Sequence, residues 1–218
     1  MTETKIRAEQ PPMVLRTRPA LEMDDEQLFE FCQLNREWRI ERSAEGDLEA
    51  MVPTGGETSN RNIRLSMQLS IWTDRDGTSV AFDSNGGFVL PNGVMRSPDA
   101  SWVRRERLTN LTPEQKQRFL PLCPEFVIEL RSPSDPLAPI ESKMREYVDN
   151  EARLGWLIDS VERKVQVYGP ADRVESSEKP DSVSGSSILP GFIIDLKPIW
   201  EPGFKLHTNQ QPFWRPLS

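Results

Sequence analysis

The chain has 218 residues, of which 36% are hydrophobic and 28% are charged, and its formal net charge is −7 at pH 7. This composition is ordinary for a globular protein with one sizeable core, and no run of about 18 apolar residues predicts a membrane span. The acidic balance argues against a general nucleic-acid coat, which is normally basic. It does not exclude an enzyme that binds phosphates through a local basic patch and a divalent ion.

The two ends of the chain are expected to lie outside the folded domain. Residues 1–20 are polar and punctuated by proline, which predicts a loose arm without the apolar segment of a signal peptide. Residues 21–200 are expected to form one domain, and residues 201–218 a proline-rich tail. Cys32 and Cys123 lie far apart and outside any metal-binding spacing, so we expect buried thiols in a reducing cytoplasm.

The first elements are predicted to be one helix and two strands. Asp24 and Gln27 have the spacing of a capping box, which predicts a helix over residues 25–37. Residues 38–42 and 48–53 alternate well enough to be two strands joined by a turn. The inward face of the helix is predicted to carry Leu28, Phe31 and Cys32.

A long helix is predicted after the turn at residues 54–62, reaching about Asp74. Two adjacent rows at i, i+4 spacing predict a wide apolar stripe. The first row is Ile63, Met67 and Ile71, and the second is Leu65, Leu69 and Trp72. Glu57 stands at the helix start, where the helix dipole favours anions, so it is either an inward-facing site carboxylate or only a charge that stabilises the helix.

A hairpin and a short helix are predicted next. Residues 78–82 and 87–90 are expected to be strands, and Pro91-Asn92-Gly93 provides turn chemistry before a returning segment at residues 94–103. The loop that follows is expected to carry Arg104, Arg105 and Arg107, either solvated or in contact with phosphates. Thr112 and Gln115 predict the start of a short helix.

The stretch from Pro124 to Ser134 predicts a strand that is buried on both faces and ends sharply at Pro133. Its apolar residues are Phe126, Val127, Ile128 and Leu130. Glu129 interrupts this run, and a carboxylate is costly to bury without a compensating cation. Glu129 is therefore a candidate metal ligand.

The remaining elements complete a single α/β domain. A helix over residues 140–153 is predicted to turn Met144, Tyr147 and Val148 inward. Residues 155–159 and 164–168 predict a hairpin, and the polar residues 171–187 predict a mobile loop. Residues 188–196, interrupted by Pro190-Gly191, predict a last short strand. The sequence has no internal repeats, so we expect one mixed central sheet.

The motifs occur in a diagnostic order. They are Gly56-Glu57-Thr58-Ser59-Asn60, Ser97-Pro98-Asp99, Phe126 to Ser134, Lys143 to Tyr147, and Gly155-Trp156-Leu157-Ile158-Asp159. This ordered set resembles the PD-(D/E)XK nuclease superfamily, and within it the Uma-two family of putative restriction endonucleases common in cyanobacteria. The resemblance covers about residues 20 to 200. It implies a restriction-endonuclease-like α/β fold with a mixed central β-sheet flanked by helices.

The resemblance also implies an activity and a site. It implies a Mg²⁺-dependent (or Mn²⁺-dependent) endonuclease that cleaves DNA as a homodimer. Asp99 and Glu129 would bind the metal from neighbouring strands about 4.8 Å apart. Glu57 would support the ion, and Lys143 would orient the attacking water or help to deprotonate it.

The position of the basic group departs from the superfamily pattern. Arg131 occupies the usual lysine position, and an arginine does not give up its proton near neutral pH. Arg131 could steady a phosphate but is a poor base. Lys143, on the following helix, is the better candidate for a displaced lysine, and Tyr147 shares its helix face at i+4.

Plainer explanations stand beside these assignments. Asp99 could cap a turn, and Lys143 and Arg131 could form ordinary salt bridges. Trp156 and Tyr168 are expected in the core rather than as base-stacking platforms, and His207 is given no catalytic role. For the whole protein, one rival is a catalytically silent binding or scaffold protein that keeps the nuclease fold. The other is a phosphoesterase that is not a nuclease, or a nucleotide-processing enzyme, using the same metal.

Overall fold

The computed structural model describes residues 13–185 and 188–204. Its strands are β1 (Met13–Leu15), β2 (Arg39–Arg42), β3 (Leu48–Met51), β4 (Ser79–Asp83), β5 (Phe88–Val89), β6 (Met95–Arg96), β7 (Ala100–Arg104), β8 (Phe126–Arg131), β9 (Leu154–Asp159), β10 (Lys164–Gly169), β11 (Arg173–Glu178), β12 (Ser182–Ser184) and β13 (Ile193–Asp195). Its helices are α1 (Asp25–Leu34), α2 (Gly56–Asp76), α3 (Arg105–Thr109), α4 (Pro113–Lys116), α5 (Leu137–Asp149) and α6 (Lys197–Trp200).

The larger sheet is the mixed central sheet that the sequence predicts. Its strand order is β11-β10-β9-β8-β7-β4, and β8 and β9 run parallel while the other pairs are antiparallel. Alternate residues of β8 point to opposite sides: Phe126 and Ile128 pack with α2, whereas Val127 packs with α5. Strand β8 is therefore buried on both faces, as predicted, and the α/β fold class is confirmed.

A glycine leaves room at the contact of α5 with this sheet. A Cβ on Gly155 would lie only 2.5 Å from Cε of Met144, so the missing side chain of β9 accommodates the end of that flexible side chain. Met144 and Tyr147 are fully buried at this contact. The close packing brings the side chains of α5 over the middle of β8.

A second, smaller sheet lies beside the end of the central one. Its order is β1-β3-β2-β6-β5, and the contact between β2 and β6 pairs Arg42 with Met95. Strand β6 leads within a few residues into β7 of the central sheet. The smaller sheet is thus fixed beside the point where β7 begins.

Several predicted boundaries were wrong. Helix α1 ends at Leu34 rather than at residue 37. Helix α5 begins at Leu137, before Pro139, because a proline in the first turn removes an N–H that has no helical partner anyway. The three arginines at 104–107 are not in a loop, since Arg104 ends β7 and α3 begins at Arg105.

Two segments expected to be irregular contain strands. Residues 171–187 are not a loop over their described part, because β11 pairs along its whole length with β10, and β12 pairs with β13. The expected arm at residues 1–20 contains β1, which pairs with β3. His207 and the rest of the predicted tail beyond residue 204 lie outside the described residues.

The apolar stripe predicted on α2 is only half buried. Leu65 and Leu69 are buried against the central sheet, and Trp72 packs beside them. The other row is exposed: Ile63 by 61%, Met67 by 42% and Ile71 by 45%. In the described part of the chain, no helix is both long and apolar enough to cross a membrane.

Candidate active site

Asp99 directly precedes β7, and Glu129 lies on the adjacent strand β8, at one end of the central sheet. The register of β7 on β8 pairs Ala100 with Ile128, so Asp99 and Glu129 occupy the next opposed positions. Both residues are buried. Oδ2 of Asp99 accepts a 2.8 Å hydrogen bond from the backbone N–H of Leu130, which fixes this carboxylate against β8.

Helix α5 supplies a lysine and a tyrosine to Glu129. Nζ of Lys143 lies 3.0 Å from Oε1 of Glu129, and the hydroxyl of Tyr147 donates to the same oxygen at 2.9 Å. The i, i+4 spacing on α5 brings both side chains to one carboxylate. Lys143 therefore points toward Glu129 and not away from it.

Glu41 of β2 is a third carboxylate that sequence reasoning missed. It is only 1% exposed, and its Oε1 accepts a 2.9 Å hydrogen bond from Lys143. The same oxygen accepts the backbone N–H of Ser97 at 3.0 Å, two residues before Asp99. Glu41 thus connects the lysine with the segment that presents Asp99.

Arg96 anchors this network from the side of the smaller sheet. Its guanidinium contacts Oε2 of Glu41 at 3.2 Å, Glu49 at 3.0 Å and Glu146 at 2.7 Å. Arg96 is itself buried, and its contact with the buried Glu41 is shielded from water, whereas Glu49 and Glu146 are partly exposed. The result is a fixed link between β2, β3, β6 and α5.

The charged neighbours give two carboxylates of the network, Glu41 and Glu129, very different pKa values. Burial alone would raise the pKa of Glu41, but Lys143, Arg96 and Arg39 outweigh it and hold that pKa at about 2. Burial, the largest cause, raises the pKa of Glu129 to about 7; Lys143 opposes this, while Asp99 and Glu41 add to it. Glu129 is therefore the carboxylate that lacks enough positive charge around it.

The donors stay protonated at neutral pH. Burial alone would lower the pKa of Lys143, but Glu129 and Glu41 outweigh it and raise that pKa above its ordinary value. Burial and the neighbouring charge of Glu129 raise the pKa of Tyr147 well above its ordinary range. The geometry favours the orienting role for Lys143 over the proton-accepting one, since a lysine held charged by two carboxylates is a poor base.

Arg39 and Asn62 complete the surroundings of Asp99. A guanidinium nitrogen of Arg39 lies 3.5 Å from Oδ1 of Asp99, and about a third of the Arg39 side chain is exposed. Nδ2 of Asn62, on α2, donates to the same oxygen at 3.3 Å. Oδ1 of Asn62 is buried and has no hydrogen-bond partner among the described residues.

Glu57 and Arg131 lie apart from this cluster. The side chain of Glu57 is 60% exposed and pairs with Arg61 one turn along α2, so Asn62 is the α2 side chain that contacts Asp99. Arg131 pairs with Asp159 at 2.7 Å and donates to the carbonyl of Asp135 at 3.0 Å. These contacts tie the end of β8 to β9, which is the salt-bridge arrangement expected as one of the two roles of Arg131.

Replacing Arg131 is expected to affect stability and not catalysis. Arg131→Met leaves the buried carboxylate of Asp159 without its cation, so the free energy of unfolding should fall by about 3 kcal/mol. Urea denaturation measures this loss, and any DNA cleavage by the folded variant should stay within about threefold of that by wild type. A cleavage rate lowered about 100-fold at unchanged stability would instead place Arg131 in the site.

The residues present fit a hard divalent ion. Within residues 13–185 and 188–204, no group of three or more His, Cys, Asp or Glu side chains could hold a metal ion. Two carboxylates are available, however, and the unpartnered Oδ1 of Asn62 is a further oxygen of the kind that Mg²⁺ and Mn²⁺ prefer. Mg²⁺ commonly takes only one or two protein carboxylates and completes its shell with water and substrate phosphate.

The two aromatic residues considered for base stacking belong to the core. Trp156 packs against Phe126 and Phe192 on one side of the sheet, and Tyr168 is buried on the other side. Neither ring is available to a nucleobase in this fold. This agrees with the expectation from the sequence.

Comparisons with known proteins agree with the geometry. Residues 25–197 match the model of the Uma2 family, described as "Putative restriction endonuclease". A crystal structure of "a putative nuclease belonging to DUF820" from Anabaena variabilis ATCC 29413 superposes with a TM-score of 0.62. That pair is 19% identical, and the match covers 74% of this chain and 89% of the other, which shows a shared fold. No curated protein matches the chain.

Proposed function

The chain belongs to the Uma2 family of putative restriction endonucleases, and on that basis we propose that it is a metal-dependent endonuclease that hydrolyses phosphodiester bonds of DNA. The observation that carries the proposal is the opposition of Asp99, directly before β7, and Glu129 on β8, with the ammonium of Lys143 at 3.0 Å from Glu129. A buried carboxylate pair beside a fixed cation, at the end of a central sheet, is an arrangement suited to phosphoryl transfer.

Asp99 and Glu129 are the residues that would hold the ion. Mg²⁺ or Mn²⁺ bound there supplies a Lewis acid for a phosphoryl oxygen and lowers the pKa of a bound water. The raised pKa of Glu129 supports this assignment, because it marks a carboxylate whose charge is not fully compensated by Lys143.

Three side chains of this chain would assist the reaction, two of them near the substrate and one by holding Glu129. Lys143 donates to Glu129 and can orient a water beside that carboxylate, while its charge stabilises developing negative charge. Arg39 is the partly exposed cation beside Asp99, placed to contact a phosphate oxygen. Tyr147 holds Oε1 of Glu129 in place through its hydroxyl.

A silent scaffold would not need this arrangement. The direction of Lys143 distinguishes an enzyme from a scaffold, and its ammonium lies between Glu129 and Glu41. Keeping three carboxylates and two cations buried costs stability that apolar residues would not cost. The network therefore favours the enzyme over a scaffold that keeps only the fold.

Supercoiled plasmid DNA tests the activity. Purified protein in Mg²⁺ or Mn²⁺ is expected to convert the plasmid to nicked and linear forms, and EDTA should stop the reaction. Cleavage that continues in EDTA would contradict the metal-dependent part of the proposal. No cleavage with either ion, on plasmid or linear DNA, would favour the catalytically silent scaffold instead.

The affinity for the ion should depend on pH through Glu129. A ligand carboxylate must be deprotonated, and the pKa of Glu129 is about 7 without an ion. The rise in Tm produced by Mg²⁺ is therefore expected to grow between about pH 6 and pH 8 and then to level off. Thermal unfolding in matched buffers measures it, and Glu129→Gln should remove both the effect and its pH dependence.

In the ion-free protein, the raised pKa of Glu129 makes stability fall, and not rise, with increasing pH. The unfolded chain releases this proton near the ordinary value of 4.5, whereas the folded chain keeps it until about pH 7. The folded state therefore binds more protons across this window, and the contribution of Glu129 to stability falls as pH rises from 4.5 to about 7. If this contribution rose with pH across that window in the ion-free protein, Glu129 would not be a buried carboxylate with a raised pKa.

We also propose that the protein acts as a homodimer. Two strands of a DNA duplex are naturally served by two related sites, and most soluble oligomers are symmetric dimers. The association surface is a separate question from the chemistry.

A further inference from the structure

We propose that Arg39 and a divalent ion compete for Asp99, so that binding of the ion releases the Arg39 guanidinium toward a phosphate of the substrate. Arg39 is then a positioning residue that couples the two binding events. The inference rests on the metal site proposed above and adds an order of events to it: the arginine contacts Asp99 first and a phosphate afterwards.

Oδ1 of Asp99 is the carboxylate oxygen that is not tied to the central sheet. The other oxygen, Oδ2, accepts the backbone N–H of Leu130 at 2.8 Å. Oδ1 faces Nη1 of Arg39 at 3.5 Å and Nδ2 of Asn62 at 3.3 Å. Both of these neighbours are N–H donors, which present their positive ends to the oxygen. An ion that binds Oδ1 therefore meets two donors that face the same atom.

The guanidinium of Arg39 is the donor that has to give way. A Mg²⁺ ligand lies at about 2.0–2.1 Å from the ion, so an ion on Oδ1 and a guanidinium 3.5 Å from the same oxygen would be two cations in close contact. Arg39 cannot relieve this repulsion by losing a proton. The amide of Asn62 is neutral, and it can turn over without losing a hydrogen bond of its Oδ1, which has no partner among the described residues.

The contacts that hold Arg39 beside Asp99 are weak. The distance of 3.5 Å to Oδ1 is longer than the usual range of about 2.7–3.2 Å for an N–H···O bond. Nη2 donates to Sδ of Met51 at 3.1 Å, and a thioether is a weak acceptor. About a third of the side chain is exposed, so the guanidinium can turn outward into water or onto a substrate. Lys143, by contrast, is held between two buried carboxylates.

Arg39 supplies positive charge to the carboxylates that an ion would neutralise. Burial alone would lower the pKa of Arg39, but Asp99, Glu41 and Glu129 outweigh it and raise that pKa. A divalent ion takes over this part and frees a forked donor that matches a phosphate. The ion and the substrate phosphate should therefore strengthen each other's binding.

Isothermal titration calorimetry of the full chain with Mn²⁺, in the absence of DNA, tests the proposal. Arg39→Met should bind Mn²⁺ about tenfold more tightly than wild type, because the competing cation is removed. Arg36→Met is the matched control, since Arg36 is an exposed arginine three residues earlier that donates to the carbonyl of Gln33. It should change the affinity by less than about twofold. Arg39→Thr, which suits a strand, should show the same gain if the methionine variant does not fold.

Three results of the titration would overturn the proposal. Arg39→Met that binds Mn²⁺ no more tightly than wild type, while Asp99→Asn abolishes binding, would overturn the competition and leave the metal site intact. An equal gain in Arg36→Met would show a general effect of charge instead of a contact at Asp99. Binding that Asp99→Asn does not weaken, or no binding by either wild type or Arg39→Met, would contradict the metal site itself and this inference with it.

A co-crystal with Mn²⁺ shows where the guanidinium goes. Nη1 of Arg39 is expected beyond hydrogen-bonding distance of Oδ1 of Asp99, turned toward solvent. A guanidinium that stays on Oδ1 beside the bound ion overturns the proposal, whatever the affinities are.

Discussion

Asp99→Asn is expected to lower DNA cleavage about 1000-fold while leaving the fold intact. The change keeps the shape of the side chain, and the asparagine oxygen can still accept the backbone N–H of Leu130 that the aspartate holds at 2.8 Å. What is lost is the negative charge that would bind a divalent ion together with Glu129. Plasmid cleavage rates over a range of Mg²⁺ concentrations measure the effect.

The control for Asp99→Asn is a carboxylate outside the site. Glu178→Gln removes a charge from the exposed strand β11, and it should change cleavage by less than about threefold. The Tm of Asp99→Asn should stay close to that of wild type in the absence of an ion. If Asp99→Asn cleaved DNA at the wild-type rate at saturating Mg²⁺, the assignment of Asp99 as a metal ligand would be wrong.

Lys143→Met should damage both stability and cleavage. Glu41 and Glu129 share this ammonium at 2.9 and 3.0 Å, so its removal leaves two buried carboxylates facing each other. A loss of about 4 kcal/mol of unfolding free energy follows from an uncompensated buried charge. Cleavage per folded molecule should fall by about 100-fold or more, as expected when a charged group near the reacting phosphate is removed.

A second substitution separates these two effects. Adding Glu41→Gln to Lys143→Met removes one of the unpaired charges, while the amide oxygen of the new side chain can still accept the N–H of Ser97 and Arg96 keeps Glu49 and Glu146. The double variant should recover part of the stability and none of the cleavage. Cleavage that recovers together with stability would mean that Lys143 acts only as a structural cation.

The local parts of the site could be predicted from the sequence. Glu129 is visible because it interrupts an apolar strand, Asp99 because it follows Ser97-Pro98 in a returning strand, and Lys143 because it lies one turn before Tyr147 on the next helix. Only the signal at Glu129 comes from the residue pattern itself, whereas Asp99 and Lys143 stand out through the ordered motifs that carry the family resemblance. The fold class followed from the predicted helices and strands and from the same resemblance.

Glu41 could not be predicted in this way. It belongs to the short strand Arg39-Ile40-Glu41-Arg42, in which charged residues stand on both faces, a pattern typical of an exposed hairpin. Its burial arises only when β2 packs beside β6 and Arg96 meets it from another strand. Such a contact joins residues 55 positions apart, and no local pattern encodes it.

The orientation of α2 shows the same limit. Both of its rows are apolar and are predicted to form one wide stripe, but positions two residues apart lie about 200° apart around a helix, so the two rows are on opposite sides. The structure buries Leu65 and Leu69 against the sheet and leaves Ile63 and Met67 exposed. The polar strand β11 was missed for the related reason that its pairing with β10 leaves all six residues exposed.

Anomalous diffraction from a crystal soaked in Mn²⁺ tests the central claim most directly. A peak is expected about 2 Å from carboxylate oxygens of both Asp99 and Glu129, with Lys143 still on the far oxygen of Glu129, and it should vanish in Asp99→Asn. A protein that cleaves DNA with Mn²⁺ while the ion binds elsewhere in the chain would contradict the account.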